Sequence, residues 1–405
     1  MLSKYEKYKL TKEKISKILF FEKYIAVDDS ILVSKMAAPA LARLVWGKSK
    51  LTNAFKILFK MPHFSSEKRE FNFLVTYSFK NRKDHADKLK KFLREENIDN
   101  SECVFLRSRL PKNYKEFYLI ISSLLKSLYV CLNNNIVDMK VIISLAYAIK
   151  SYKYYSSLDI KASNYIAYNS ADMDETILTI VMNEKANTYG LQHGIMCKFN
   201  NTVPIDIINY ENFSAANAIL WGDFTLAEIK SYLPENCKII KKYHFGETYT
   251  HSRPDKREIL VLLPRLQYLV NCIQLLEVIS SISEEDFLIR RHPSLEGKNE
   301  LMKIVNSKSN IKFTNEPSNE LMKNSTFKCC ISFNSTSLFE ALYFGQTPLQ
   351  YISGNDEFIV DLIKNFSNEA ELRASLMTLD KNSLTRRYFF EESEEKIFGV
   401  YDESV

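Results

Sequence analysis

The chain has 405 residues, 46% of them hydrophobic and 26% charged, with a formal net charge of +6. These fractions exclude wholesale disorder, and the length predicts two domains of roughly 150–200 residues each. No charge-free apolar stretch reaches the ~18 residues of a spanning helix: 31–46 carries Lys35 and Arg43, and 117–132 carries Lys126. The opening MLSKYEKYKLTKEKISK places charges where a signal peptide needs its apolar stretch, so a cytoplasmic location is expected. Seven cysteines without CxxC spacing fit a reducing compartment rather than a disulfide framework or a zinc site. Nine glycines, with neither GxGxxG nor GxxxxGK[ST], leave any nucleotide to be bound by groups other than a glycine loop.

Residues 1–70 hold 15 Lys and Arg against 7 Asp and Glu, a net of +8, so the rest of the chain nets −2. Tyr5, Tyr8, Leu19, Phe20 and Phe21, then Phe55, Leu58 and Phe59, are interleaved with lysines at near-helical spacing. That mixture reads either as an ordinary helix face packed on the body or as a surface, within residues 1–62, for an anionic membrane. Nucleic acid is not an expected partner, because no nucleic-acid motif is readable and the basic excess ends near residue 70.

Beyond residue 70 strands and helices alternate. Strands are expected at 71–78, 103–108, 164–170, 188–194 (strand then turn), 218–223 and 238–246 (strand running into a loop). The helices between them fall at 84–97, across 113–154 with a break near Asn133–Asn135, at 171–186 and at 224–233. The polar stretch 251–258, with Pro254, reads as a linker. Further strands follow at 258–264, 286–294 (strand then loop), 311–318 (strand entering a turn), 328–336 (strand then loop) and 347–351, with helices at 266–282, 295–307, 319–324 and 337–345. Short apolar strands separated by helices make βαβ units. The expected architecture is α/β: two doubly wound, Rossmann-like domains facing a cleft, with a basic helical N-terminal extension. The expected boundaries are 1–70, 71–250, 251–385 and a C-terminal tail at 386–405.

In such domains ligands bind beyond the carboxyl ends of the strands, so the turns there carry the chemistry. Two of the six histidines follow strands, one in each half: His193 in Gln192-His193-Gly194 and His292 in Arg291-His292-Pro293. Imidazole can serve as base, acid or phosphate donor near neutral pH. Gly194 leaves room for a tight turn and a close ligand, and Pro293 fixes the backbone after His292. A third group, Asn334-Ser335-Thr336-Ser337, opens a helix, where hydroxyls and free N–H groups suit an anion. Either one hydroxyl there caps the helix or the set binds phosphate. Asp172-Met173-Asp174 is the only DxD. It opens a helix and reads as dipole stabilisation rather than a metal site, so no metal or other cofactor is expected.

The order His-Pro after a second-domain strand, then Asn315-Glu316-Pro317, then the Ser/Thr loop before Leu338-Phe339-Glu340-Ala341-Leu342, resembles bacterial glycosyltransferases of the GT-B fold. The likeness covers residues 258–351. It is greatest to enzymes using CMP-activated sugars, the sialyl-, polysialyl- and Kdo-transferases of surface polysaccharide synthesis. The His-Gly turn is similar to that of the CDP-glycerol phosphotransferases, where the sialyltransferases carry an acidic pair before a glycine. The resemblance implies a donor domain at 251–385 and an acceptor-side domain at 71–250. It implies donor nucleotide and phosphate binding by Arg291, His292, Pro293, Asn315, Glu316, Asn334, Ser335, Thr336, Ser337 and Glu340. The expected reaction is an inverting, metal-independent transfer. His193 is the base, with Asp172, Asp174 or Glu175 as alternatives, and His292 stands at the leaving phosphate. The expected partners are a nucleotide-activated sugar, a glycan or glycolipid acceptor, and the inner face of the cytoplasmic membrane. A CDP-polyol phosphotransferase and a non-catalytic scaffold of the same fold remain the alternatives.

Overall fold

Runs rich in β-branched and aromatic residues form two sheets in a computed structural model. It describes residues 4–18, 30–47, 50–79, 83–168, 172–194, 196–197, 211–244, 254–354, 359–360, 362–379, 386–391, 393 and 395–398. The first sheet has seven strands: β1 Met61–Phe64, β2 Glu70–Tyr77, β3 Cys103–Arg109, β4 Lys161–Ala167, β5 Asn187–Leu191, β6 Asn217–Leu220 and β7 Lys238–Lys241. Their order is β1-β3-β2-β4-β5-β6-β7. All neighbours are parallel except β1, which runs antiparallel on β3 with Met61 opposite Arg109. Pro62 lies in β1, and an edge strand tolerates a residue that cannot donate.

The second sheet has six strands: β8 Ile259–Leu263, β9 Phe287–Arg291, β10 Ile311–Thr314, β11 Cys330–Ser332, β12 Pro348–Tyr351 and β13 Asn365–Phe366. Their order is β10-β9-β8-β11-β12-β13, parallel throughout. β8 reads ILVLL and every residue of it is buried, as a strand covered on both faces requires. The two doubly wound domains are therefore present. β1, four residues, and β13, two residues, are not among the strands expected from sequence. The helical stretch expected at 113–154, with its break near Asn133–Asn135, is two helices, Tyr114–Asn133 and Met139–Ser156. Between them Asn135 takes φ +55°, a left-handed conformation that asparagine tolerates.

The basic N-terminal region is helical, with helices Lys4–Ser16, Ser30–Trp46 and Lys50–Phe59. Much of its apolar surface faces inward. Met36, Ala37, Ala38, Ala40 and Leu41 are fully buried where Ser30–Trp46 packs on Met139–Ser156 and on the helix Met173–Met182. Tyr8 and Ile15 seat the first helix on the second. Lys150, buried in Met139–Ser156, donates to the carbonyls of Ile57, Leu58 and Lys60 at 2.7, 2.9 and 2.6 Å. It thereby satisfies carbonyls that the end of helix Lys50–Phe59 leaves open. Leu10 and Phe55 depart from this inward packing, at 47% and 55% exposed. Leu19, Phe20 and Phe21 lie outside the described residues.

The sequence set 386–405 apart as a tail. Its described residues cross to the first domain. The Glu391 amide donates to Trp221 O at 2.6 Å and Tyr243 N donates to Glu391 O at 2.8 Å, extending the main-chain bonding past the ends of β6 and β7. Phe389 and Phe390 are buried against Phe224, Phe339, Trp221 and Tyr243. A Cβ on Gly222 would lie 2.7 Å from the Phe389 backbone, so only glycine allows this approach. Glu96 fastens the segment further on. Its buried carboxylate accepts from Lys242 Nζ at 2.7 Å and lies 2.9 Å from His244 Nε2. It also accepts the amides of Ile397 and Phe398 at 2.8 and 3.2 Å.

One apolar cluster joins the domains, with Leu89 and Phe92 from the first and Leu260, Leu338 and Phe339 from the second. Phe224 and Phe339 meet with ring centroids 5.2 Å apart, and Tyr243 and Tyr343 at 4.8 Å.

Candidate active site at the two carboxyl edges

In a doubly wound sheet the crevice for a ligand opens where successive connections leave in opposite directions. The strand orders place that point between β2 and β4 in the first sheet and between β8 and β11 in the second. His193 falls beside the first of these points, and His292 and the loop 334–337 beside the second.

At the first, His193 lies two residues past β5 and joins a ring cluster with Phe79, His85 and Tyr168. Tyr168 stacks on His193 with centroids 5.2 Å apart and planes at 29°. His85, on the helix Lys83–Glu95, lies 5.4 Å from His193, and Phe79 closes the cluster at 5.4 Å from His85 and 5.3 Å from Tyr168. The Tyr168 hydroxyl donates to His85 O at 3.3 Å. The turn that carries His193 is pinned by Gln192, which is buried. Its Nε2 donates to Gly194 O at 3.0 Å and to Thr225 Oγ1 at 3.1 Å, and its Oε1 accepts from Trp221 N at 2.7 Å. Trp221 Nε1 donates to Gln192 O at 2.9 Å. A Cβ at Gly194 would meet nothing within 4 Å, so the protein itself does not demand glycine there and the space beside it is open.

The alternative bases lie in other contacts. Asp172 caps its helix by accepting from Met173 N at 2.9 Å, and it pairs with Arg43 at 3.1 Å. Asp174 accepts from the Tyr147 hydroxyl at 2.9 Å. Burial raises its pKa to about 6, against the lowering effect of that hydrogen bond. Glu175 is fully buried within the helix.

At the second edge β8 lies between β9 and β11. His292 and the loop 333–337 therefore flank its end from either side, two strand spacings of ~4.8 Å apart. Asn315 and Glu316 follow β10, one strand further out. The His292 amide donates to Leu263 O at 3.1 Å. Its exposed ring accepts the Ser294 amide on Nδ1 at 3.1 Å, and Ser294 Oγ lies 2.8 Å away. With Nδ1 accepting, the proton of the neutral ring rests on Nε2. Pro293 opens the short turn Pro293–Leu295 that presents Ser294. Arg291 packs its guanidinium 4.2 Å over the Phe313 ring.

On the other flank, Ser332 Oγ donates to Leu262 O at 2.9 Å and Phe333 is fully buried. Asn334 then turns the chain with φ +45°. Ser335 Oγ donates to Ser337 Oγ at 3.1 Å and accepts from Ser337 N at 3.3 Å. Thr336 stands at the helix start and its side chain makes no capping bond. The helix, Ser337–Tyr343, has only seven residues, so its dipole is small and the loop's hydroxyls are the main polar feature. Glu340 is ion-paired with Lys88 of the first domain at 3.3 Å. It therefore ties the domains together next to the loop.

Sequence reading missed Tyr168, His85, Phe79 and Gln192. The signal available was position: Phe79 and Tyr168 follow β2 and β4, the two strands that bound the crevice. Arg265, exposed just past β8, is a further cation at the second crevice. Among the described residues no group of three or more His, Cys, Asp or Glu is gathered as a metal site.

No family model and no curated protein matches the chain. Among solved structures it is similar to TarM from S. aureus, at 17% identity and TM-score 0.36, over 60% of this chain and 53% of that one. It is similar to the UDP-GlcNAc 2-epimerase from Neisseria meningitidis bound to UDP-GlcNAc, at 12% identity and TM-score 0.45, over 79% of this chain and 95% of that one. It is also similar to HepE from Anabaena in complex with UDP and glucose, at 10% identity and TM-score 0.42, over 76% of this chain and 89% of that one. The chain spans about half the length of TarM. These likenesses are distant, and the two-domain architecture stands on the sheets themselves.

Proposed function

We propose that the protein is a glycosyltransferase. It takes a sugar from a nucleotide-activated, CMP-linked donor and attaches it with inversion, and without a metal, to a glycan or glycolipid of a bacterial surface polysaccharide. The observation that supports this reading is the pair of polar groups at the second crevice, His292 on one side of β8 and the Ser335–Ser337 loop on the other. Hydroxyls and an imidazole N–H at that edge suit a phosphate that gains charge as the sugar leaves. His193, held on its aromatic shelf at the first crevice, takes the proton of the acceptor hydroxyl. The displacement is single: the acceptor oxygen forms its bond to the sugar carbon as the bond to the nucleotide phosphate breaks, and CMP leaves.

The second reading, transfer of a polyol phosphate from a CDP-linked donor, draws on the His193-Gly194 turn and the open space beside it. One panel separates the readings. The protein is incubated with CMP-sialic acid, CMP-Kdo, CDP-glycerol and UDP-sugars, each with and without EDTA, and nucleotide release is scored. Release from a CMP-sugar that EDTA leaves unchanged is the expected result. Release from CDP-glycerol alone assigns the phosphotransferase, and release from UDP-sugars alone overturns the cytidine donor. Neither binding nor turnover of any donor leaves a scaffold.

A further inference from the structure

Helix Tyr114–Asn133 is apolar on both sides. Its inward side, against Met139–Ser156, buries Ser123, Ser127 and Cys131 at four-residue spacing, together with Ile120 and Val130. Ser127 Oγ donates to Ile142 O at 2.6 Å. Its outward side also carries large apolar residues: Tyr114, Phe117, Tyr118, Leu125, Tyr129 and Leu132 are each more than half exposed. At 100° per residue these six fall on one face. A helix in water normally turns such a face to the core. Small residues at a helix–helix contact with bulky ones outward is the arrangement of helices whose solvent is lipid.

The rim of this face is basic. Between Arg107 and Asn133 the chain has five basic residues and one acid, Glu116. Arg109 neutralises that acid internally through two bonds of 2.7 and 2.6 Å. Lys112 and Lys115 are exposed at the head of the helix. Burial, and then the positive field of Arg107, Arg109 and Lys112, lowers the pKa of His63. Helix Lys50–Phe59 touches the same helix and adds exposed Phe55 and Lys56.

We propose that this face, helix Tyr114–Asn133 with its neighbour Lys50–Phe59, seats the protein on an anionic lipid surface. The aromatic and leucine side chains enter the headgroup–acyl boundary and the lysines meet lipid phosphates. The helix lies in the plane of the surface. It is long and apolar enough to span, but its Ser123–Ser127–Cys131 side is packed into the domain along its length. The N-terminal helices Lys4–Ser16 and Ser30–Trp46, whose apolar sides are buried, take no part. The inference does not depend on the reaction assigned above.

The test is flotation of the full-length protein with vesicles of phosphatidylcholine, alone or mixed with phosphatidylglycerol. The protein is expected to float with the mixed vesicles, less so at high salt. Tyr118→Glu with Leu125→Glu lowers the bound fraction by about tenfold or more, each placing a charge at the lipid boundary. Lys112→Ala with Lys115→Ala lowers it on the order of thirtyfold, the combined worth of two near-surface lysines. Lys7→Ala with Lys9→Ala, on the first helix, changes it by less than about twofold. All these positions are exposed, and an unchanged melting temperature checks that each variant is folded. The milder Leu125→Ser, expected to lose several-fold, repeats the test should the double glutamate variant not fold. Failure of the parent protein to float overturns the proposal. So does a parent that is dimeric in solution and does not float while Tyr118→Glu with Leu125→Glu is monomeric, because a second copy then covers the face. Flotation that survives the face variants and is lost with Lys7 and Lys9 also overturns it.

Discussion

The two carboxyl edges bear the same kind of residue in opposite settings. His193 is wedged among rings, with its turn held through Gln192. His292 is exposed, and its ring bonds Ser294 on a turn of three residues. The first edge is assembled before any ligand arrives, and the second exposes His292 while Ser335, Thr336 and Ser337 are half-buried. A base must be held at fixed distance and angle. A phosphate has oxygens on several sides and accepts donors that adjust. Under the proposed function, the first edge suits chemistry and the second suits binding.

His193→Ala is the sharpest way to break that assignment. Turnover should fall by ~10²–10⁴-fold, the usual worth of a general base, with nucleotide binding nearly unchanged. The opposite result, lost binding with retained turnover at saturation, would exchange the roles of the two edges. His193→Asn with near-parent activity would move the base to Asp174. Its pKa, raised to about 6 by burial, also suits proton transfer near neutrality.

The fastening of the C-terminal segment to the first domain is tested through Glu96. Glu96→Ala leaves Lys242 buried without its carboxylate and should cost about 3–5 kcal/mol in chemical unfolding. Burial alone would raise the Glu96 pKa, but the hydrogen bonds and charges of His244 and Lys242 outweigh it and hold the group at about 2. The folded value lies below the ordinary 4.5. The stabilisation is therefore present above that pH and lost as pH falls toward 2. The parent should lose stability steeply across this window, and Glu96→Gln should flatten the loss. An unchanged slope would remove Glu96 from the account.

His292→Ala probes the second edge. A cytidine nucleotide at 100 times its dissociation constant should stabilise the parent by about 2.7 kcal/mol, read as a raised melting temperature without added metal. The variant should show no shift. A preserved shift, or one requiring magnesium, breaks the assignment of this edge to the donor.

The smallest effect is expected where the edges are joined. Lys88 and Glu340 are partly exposed, so a double-mutant cycle with alanine should give a coupling of about 0.2–1 kcal/mol in stability. A larger effect of Lys88→Ala on nucleotide binding than on unfolding would return Glu340 to the donor site.

The second edge was the more legible in sequence because its residues are contiguous. Arg291-His292-Pro293 and Asn334-Ser335-Thr336-Ser337 each occupy one turn, and a strand's end can be read from a change in hydrophobicity. The first edge is assembled from residues 79, 85, 168 and 193, and no spacing along the chain announces that β2 and β4 are neighbours. β4 pairs with β2 rather than β3, a crossover that only the whole fold decides. Glu340 shows the same limit. A carboxylate on the first turn of a helix reads as local, and its partner is 252 residues away.

The return of the chain to the first domain has a consequence for the order in which the molecule can be completed. Glu96 and Gly222 are synthesised early, yet the groups that complete their surroundings lie at residues 388 to 398. The nascent first domain must carry an acid short of two of its donors and an uncovered main-chain edge at Trp221 until the whole second domain has been made. A clip that begins beside Phe389 then closes both at once. The two domains are thus built in sequence but finished together, and an unfinished chain is recognisable by the raw edge at Trp221.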